Sequence, residues 1–275
     1  MKELLLEFLF NLAVSAASGI HCQGEDVYII GDNSGFVYHH NLEQTTFSRH
    51  PLYDGATDIT PKKLKRDLES AAFLNGKLYI FGSGSKKKRE TGYIFDIESQ
   101  KSTAFALNVL YGKLRAAAGL DPDDLNIEGA VFYKKELLLF QRGNGLAARN
   151  GIFRVKGKDK FSADAEVVFT EVKLPQIEGV TATFTDAVAV KDKIYFLAAA
   201  EGSDNTYDDG TIYGTLAGIL DAKSLQLLET AFIGKGKYEG IALYKEHKST
   251  IEFLVCEDND KNQSEGAIYR LILSK

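Results

Sequence analysis

Five residues of this sequence are spaced to act on one ligand: Ser18, Glu69, Glu128, Asp186 and Glu239. Each heads the same phrase, in which a polar residue opens an apolar strand, a tight turn and a second apolar strand. The copies run from Ser18-Gly19-Ile20 into Val27-Tyr28-Ile29-Ile30, and from Glu69-Ser70-Ala71 into Lys77-Leu78-Tyr79-Ile80-Phe81. Glu128-Gly129-Ala130 leads into Leu137-Leu138-Leu139-Phe140, Asp186-Ala187-Val188 into Ile194-Tyr195-Phe196-Leu197, and Glu239-Gly240-Ile241 into Ile251-Glu252-Phe253-Leu254-Val255. If the five heads meet in one ring, the four acids cannot all stay ionised unaided. Two charges about 5 Å apart at an effective dielectric of ~20 repel by roughly 3 kcal/mol, and the six pairs together by on the order of 15–20 kcal/mol. Protonation, an intruding Lys or Arg, or a bound cation must relieve that repulsion. Four carboxylates and a hydroxyl suit Ca²⁺, a hard ion that takes oxygen ligands. The ring has no His, which argues against zinc. The bland alternative is that these acids only accept hydrogen bonds from backbone amides at a channel mouth.

The elements that would position them follow from the spacing. The second residues of the phrase stand at 19, 70, 129, 187 and 240, in steps of 51, 59, 58 and 53, and five such units fill the 275 residues. Strand repeats of this length mean a propeller or an array. Each unit holds four strand-like segments except the last, which lacks a fourth. Leu4–Phe10 is a spare apolar strand that can supply it and close the ring, removing the exposed edges that an open array would leave. The expected fold is therefore all-β: one five-bladed β-propeller domain over residues 1–275, closed by the N-terminal strand. One short helix is expected between blades two and three, at Asn108–Ala118, with Gly119 to stop it and Pro122 beyond.

In a four-stranded blade the innermost strand starts on the face to which the second strand returns. The ends of the second strands should thus share the face of the ring: Asp32-Asn33-Ser34-Gly35, Ser83-Gly84-Ser85, Gln141-Arg142-Gly143-Asn144-Gly145, Glu201-Gly202 and Glu257-Asp258-Asn259-Asp260. Gly and polar residues dominate them, as in loops around a ligand. The loop from Glu201 to Gly210 adds acids, although Asp208-Asp209-Gly210 reads equally well as a turn. Two basic runs, Lys62-Lys63-Leu64-Lys65-Arg66 and Lys86-Lys87-Lys88-Arg89, flank the second blade. They mark either an anion-attracting sector or solvated loops. Arg89, Gln141, Arg142, Asn144 and Glu201 are the candidate contacts to a small anionic ligand such as a phosphorylated one, and Asp32 is the candidate general base. No nucleophile elbow, phosphate-binding loop or dinucleotide fingerprint is present.

Net charge is −5, which gives no general case for nucleic-acid binding. No run reaches the ~18 apolar residues of a membrane span, and Glu3 and Glu7 spoil the first segment as a signal peptide. Cys22 and Cys256 make no disulfide framework, which favours a reducing, cytoplasmic setting.

Several segments resemble calcium-dependent nucleotidases of the apyrase type. They are Tyr28-Ile29-Ile30-Gly31-Asp32-Asn33-Ser34-Gly35-Phe36-Val37-Tyr38, Leu114-Arg115-Ala116-Ala117-Ala118-Gly119, Ile127-Glu128-Gly129-Ala130 and Lys237-Tyr238-Glu239-Gly240-Ile241. With Leu137–Gly145 and Phe184-Thr185-Asp186-Ala187 added, the set is more similar to an uncharacterised bacterial propeller family. The nucleotidase resemblance implies five blades and a central Ca²⁺ held by Ser18, Glu69, Glu128, Asp186 and Glu239. Asp32 would match one acid of the active face and Arg142 one of its positively charged residues. The pattern departs at Gly31, where those enzymes carry a second acid, and at Phe132, where they carry a base-stacking Trp. Two functions remain open: a calcium-dependent hydrolase of phosphate esters or anhydrides, and a non-catalytic propeller that binds a small anion or a peptide around a structural metal.

Overall fold

The structure, a computed structural model, describes residues 3–202, 210–258 and 265–275. The chain opens with β1 (Leu4–Leu12) and then builds its first blade from β2 (Ala17–Gln23), β3 (Asp26–Gly31), β4 (Phe36–Asn41) and β5 (Thr46–Pro51). The second blade holds β6 (Leu68–Leu74), β7 (Lys77–Gly82), β8 (Thr91–Asp96) and β9 (Lys101–Ala106), followed by the helix α1 (Asn108–Ala118). The third holds β10 (Ile127–Tyr133), β11 (Glu136–Gln141), β12 (Gly151–Lys156) and β13 (Glu166–Glu171). A small ribbon that the spacing did not foretell, β14 (Gln176–Ile177) and β15 (Val180–Thr181), leads to the fourth blade: β16 (Thr183–Val190), β17 (Lys193–Gly202), β18 (Thr211–Asp221) and β19 (Leu227–Gly234). The fifth has β20 (Lys237–Glu246), β21 (Thr250–Asp258) and β22 (Gly266–Ser274).

Every blade is a four-stranded antiparallel sheet in sequence order, and β1 completes the fifth by pairing along β22 from Leu4↔Leu273 to Leu12↔Gly266. The molecule is thus a five-bladed propeller closed by its N-terminal strand, with the helix at the expected place. Among the described residues no helix is long and apolar enough to cross a membrane.

The five-fold arrangement explains the apolar runs. A second strand is sandwiched between two neighbouring blades, so both of its faces are buried. In β11, Leu138 and Phe140 pack toward blade four, while Leu137 and Leu139 pack toward blade two and α1. Among the described residues five such interblade cores occur. The one between blades five and one joins Ala17, Ile20 and Val27 to Ala242, Leu254 and Ile268, and so shuts the ring. Helix α1 buries Leu110, Tyr111, Leu114 and Ala118, and ends on Gly119 at φ 61°, the left-handed conformation that favours glycine at a helix end. Its Tyr111 hydroxyl donates to the Gly82 carbonyl (2.5 Å) and its Arg115 guanidinium to the Gly84 carbonyl (2.6 Å). The helix therefore braces the loop that carries Arg89.

Candidate functional site

In all five innermost strands the pairing with the second strand skips one residue near the start. The skipped residues are Ser18, Glu69, Glu128, Thr185 and Glu239. A bulge of this kind leaves its residue outside the ladder and re-aims the side chain. Blade four corrects the sequence reading: the equivalent of Glu128 is Thr185, and Asp186 stands one place further on, level with Gly19, Ser70, Gly129 and Gly240. The hydroxyl residues behave alike, for Ser18 donates to the carbonyl of Leu68 (2.6 Å) and Thr185 to that of Tyr238 (2.8 Å), each just before the next blade's bulge. Asp186 instead bridges blades, its Oδ2 accepting the Ile241 amide (2.9 Å). Among the described residues no three of Glu69, Glu128, Asp186 and Glu239 bring carboxylate oxygens within 4.8 Å of one another.

What surrounds them is a circuit of ion pairs. Lys65 reaches Asp32 and lies 2.7 Å from Asp67. Arg89 lies 2.6 Å from Asp67, which also accepts from the Ser83 hydroxyl. Arg142 lies 2.8 Å from Glu128 and 3.7 Å from Glu239, and also pairs with Glu201. Lys237 lies 3.0 Å from both Glu239 and Asp258. Asp67 holds φ at 58°, a strained place for a side chain although aspartate tolerates it better than most residues. Among the described residues, four cations (Lys65, Arg89, Arg142, Lys237) face seven acids: Asp32, Asp67, Glu69, Glu128, Glu201, Glu239 and Asp258. Intruding lysines and arginines relieve part of the repulsion, and the acids still outnumber the cations.

The proton affinities record that excess. Burial pushes the Glu69 carboxyl well above its ordinary range, and the neighbouring Asp67 and Asp32 add to the shift. Burial likewise raises Asp32, Glu128 and Glu239, with Lys65, Arg142 and Lys237 respectively pulling them back. At Asp67 the pull of Lys65 and Arg89 outweighs burial, and its carboxyl sits below the usual value. Glu69 forms no hydrogen bond or ion pair among the described residues, although Lys65 attracts it. Asp32 Oδ1 and Asp186 Oδ1 are buried without a partner.

The loops expected on this face are there, but several residues expected to hold ligand are already engaged. Gln141 is a brace: its side-chain oxygen accepts the Asn126 amide (2.9 Å) and its nitrogen donates to the carbonyls of Asp124 (2.7 Å) and Arg142 (2.9 Å). Asn144 accepts from Asn126 (3.2 Å), which also donates to Glu128 (2.7 Å). Glu201 takes Arg142 and the Gly210 amide (2.7 Å). Arg89 and Arg142 are 3% exposed and turned inward onto carboxylates. Asp204, Asp208, Asp209, Asn259 and Asp260 lie outside the described residues. Gly31 cannot carry a second acid, since a Cβ there would come within 2.6 Å of the Ser15 carbonyl. Phe132 pairs with Leu137 beside the turn at the other end of β10 from Glu128, remote from the mouth.

The residues that sequence reasoning missed are Asp67, Asn126 and Lys237; Lys65 and Asp258 stood in segments expected at the site but without a role of their own. Asp67, Asn126 and Lys237 each precede a bulge residue by two, and strand alternation puts such residues on one side. That was the available signal.

Asp186 makes a prediction of its own. Its folded-state carboxyl lies well above the ordinary 3.8 because of burial, with the Ile241 and Ala187 amides opposing. A raised carboxyl contributes stability that is present in full below the unfolded value and is lost as pH rises through the folded value. Asp186→Asn keeps an oxygen for Ile241 and removes the proton requirement. It should leave the melting temperature unchanged near pH 4 and raise it by about 3 °C or more at pH 8. A variant that melts lower than the parent at pH 8 would show that the charged carboxylate is wanted there.

Over residues 13–273 the chain matches the model of a family of unknown function, DUF6929. No curated protein matches, and nothing in the comparisons supports the nucleotidase resemblance or a bacterial source. Among solved structures, a luciferin-regenerating enzyme superposes with a TM-score of 0.52 at 11% identity, over 98% of this chain and 95% of that one. The Cps50 (Swd1) beta-propeller domain of Myceliophteria thermophila is also similar, with a TM-score of 0.41 at 10% identity, over 92% of this chain and 67% of that one. These likenesses concern the fold alone. The chain belongs to the DUF6929 family of unknown function.

Proposed function

We propose that this propeller binds a hard divalent cation, Ca²⁺, beside Asp32, Asp67 and Glu69, and a small phosphorylated anion next to it. The carrying observation is a juxtaposition of opposite charge. Asp32, Asp67 and Glu69 bring one carboxylate oxygen each within 4.8 Å of one another, the one such trio among the described residues. That spacing fits oxygens around an ion that binds them at about 2.4 Å. Asp32 offers the unpartnered Oδ1, and Glu69 a carboxylate without a hydrogen bond. Arg89, the partner of Asp67, also lines a cavity of about 420 Å³ together with Lys62, Lys63, Lys86, Lys87 and Lys88. Lys86 is paired with Asp123 (2.9 Å), whereas Lys63, Lys87 and Lys88 form no ion pair among the described residues. An anion with several charges is the chemistry such a cavity takes. Lys65 already stands between Asp32 and Asp67, so a cation entering the trio competes with a tethered ammonium.

Binding without turnover is the reading the geometry favours. Arg89 and Arg142 are spent on internal acids, and Asp32 is held by Lys65 rather than presented to a water. The second reading, hydrolysis of a phosphate ester or anhydride, rests on Asp32 Oδ1, which is free to accept a proton. A calcium ion, when bound, would supply a positive centre that polarises phosphoryl oxygens. A panel of nucleotides, sugar phosphates and inositol phosphates, with Ca²⁺ or EDTA, separates the two readings. Calcium-dependent thermal stabilisation that Lys87→Glu/Lys88→Glu removes, without turnover, is the expected result. Calcium-dependent turnover abolished by Asp32→Ala would establish the hydrolase. A panel that neither stabilises the protein nor is turned over would overturn both.

A further inference from the structure

A second cavity, of about 570 Å³, lies between blades two and three at the far end of the innermost strands from Glu69 and Glu128. Its apolar lining is Leu74, Tyr79, Ile94, Phe132 and Phe161, all of them only half-buried. Tyr79 meets Phe132 edge-on at 5.0 Å between centroids and lies parallel to Phe161 at 6.3 Å, so the three rings form the walls of a slot. The rim is cationic, with Lys134 and Lys135 from the β10–β11 turn and Lys158 and Lys160 from the loop after β12. The acid in the lining, Asp159, is turned back on its own loop and accepts the Phe161 amide (2.9 Å). Lys134 lies 3.5 Å from Asp192, and Lys160 donates to the Gly157 carbonyl (2.6 Å). Lys135 and Lys158 form no hydrogen bond or ion pair among the described residues.

We propose that this cavity binds a small amphipathic anion, an aromatic acid whose flat apolar body enters the slot and whose carboxylate meets Lys135 and Lys158. Three arguments converge. The volume falls in the ~300–1,000 Å³ range of small-molecule sites, which are mostly apolar with a few placed polar groups. The aromatic surface of Tyr79, Phe132 and Phe161 is only half covered although burying the rest would be favourable. The two unpaired ammonium groups stand at its edge, where an oxyanion joined to an apolar body would reach both. The site is separate from the acidic mouth and does not depend on what binds there.

The test is a titration of the full chain, ¹⁵N-labelled, with 1-naphthoate and with neutral 1-naphthalenemethanol, followed by amide shifts. Naphthoate should shift residues 74–79, 132–135 and 157–161 in a saturable way. Lys135→Glu/Lys158→Glu, two exposed positions at which the spectrum elsewhere should be unchanged, should weaken naphthoate by at least about tenfold, or about 1.4 kcal/mol. The same variant should leave the alcohol's affinity within about twofold, or about 0.4 kcal/mol. Absence of saturable shifts at millimolar naphthoate, shifts mapping to another face, or a naphthoate affinity indifferent to the charge reversal would each overturn the proposal.

Discussion

Replacing Arg142 with methionine is expected to cost about 3–5 kcal/mol of folding stability, the usual penalty for removing one partner of a buried charge pair. In a chain of this size that is a fall of roughly 10 °C in melting temperature. The reason is that Arg142 serves three acids, Glu128, Glu201 and Glu239, and all three are buried beside it. Without the guanidinium they must take up protons or repel. The loss therefore has a direction in pH. Glu128 and Glu239 already stand above their ordinary values through burial, and removing Arg142 raises them further. Groups with raised folded values give stability that is present below about 4.5, their unfolded value, and lost as pH rises through the folded one. The deficit of Arg142→Met should thus be small near pH 4.5 and largest near pH 8, and Glu128→Gln added to it should recover part. A loss under about 1 kcal/mol, the size of an exposed pair, or one that does not change with pH, would mean the guanidinium does not hold the mouth together.

Deleting residues 1–10 is the second large effect. β1 carries Leu4 and Leu6 onto the core between blades four and five, and Leu9 and Phe10 onto the core between blades five and one. Each such side chain contributes about 1.5 kcal/mol or more when fully buried, and these four are partly so. The Glu7–Arg270 pair adds little, being about one-third exposed at both ends. Removal also bares β22 from Ile268 to Leu273 as an edge, a template for pairing with another chain. The truncated protein should melt at least about 10 °C lower and associate on concentration, and a synthetic peptide of residues 1–12 should reverse both. A truncated chain that is monomeric and melts with the parent would show that the ring does not need this strand.

Much of this architecture could be read from the sequence because it is repetitive. The doubly buried second strands leave unmistakable runs such as Leu137–Phe140, and their recurrence counted the blades. The bulges were the obscure part. They interrupt the alternation of the innermost strands at the functional position, so where two polar residues follow each other, as in Thr185-Asp186, pattern alone chose the wrong one. The direction of the arginines was also hidden. A cation after a Gly-rich turn reads the same whether it faces solvent or folds back, and only the placement of Glu128 and Asp67 shows that Arg142 and Arg89 fold back. Lys65 stood inside a basic run that reads as a solvated loop, yet it is the member drawn in between Asp32 and Asp67.

The central claim is that the acid excess at the mouth is a cation site beside Asp32, Asp67 and Glu69. Calorimetric titration of chelator-treated protein with Ca²⁺ near pH 7.5, and again at lower pH, tests it most directly. The account predicts one saturable site whose affinity weakens as pH falls, because burial raises the Glu69 and Asp32 carboxyls and calcium binds only their ionised forms. It also predicts that Asp32→Asn/Glu69→Gln abolishes the site, and that Lys65→Met, which removes the competing ammonium, tightens it. A parent protein that takes up no calcium, or a double variant that takes up as much as the parent, would contradict it.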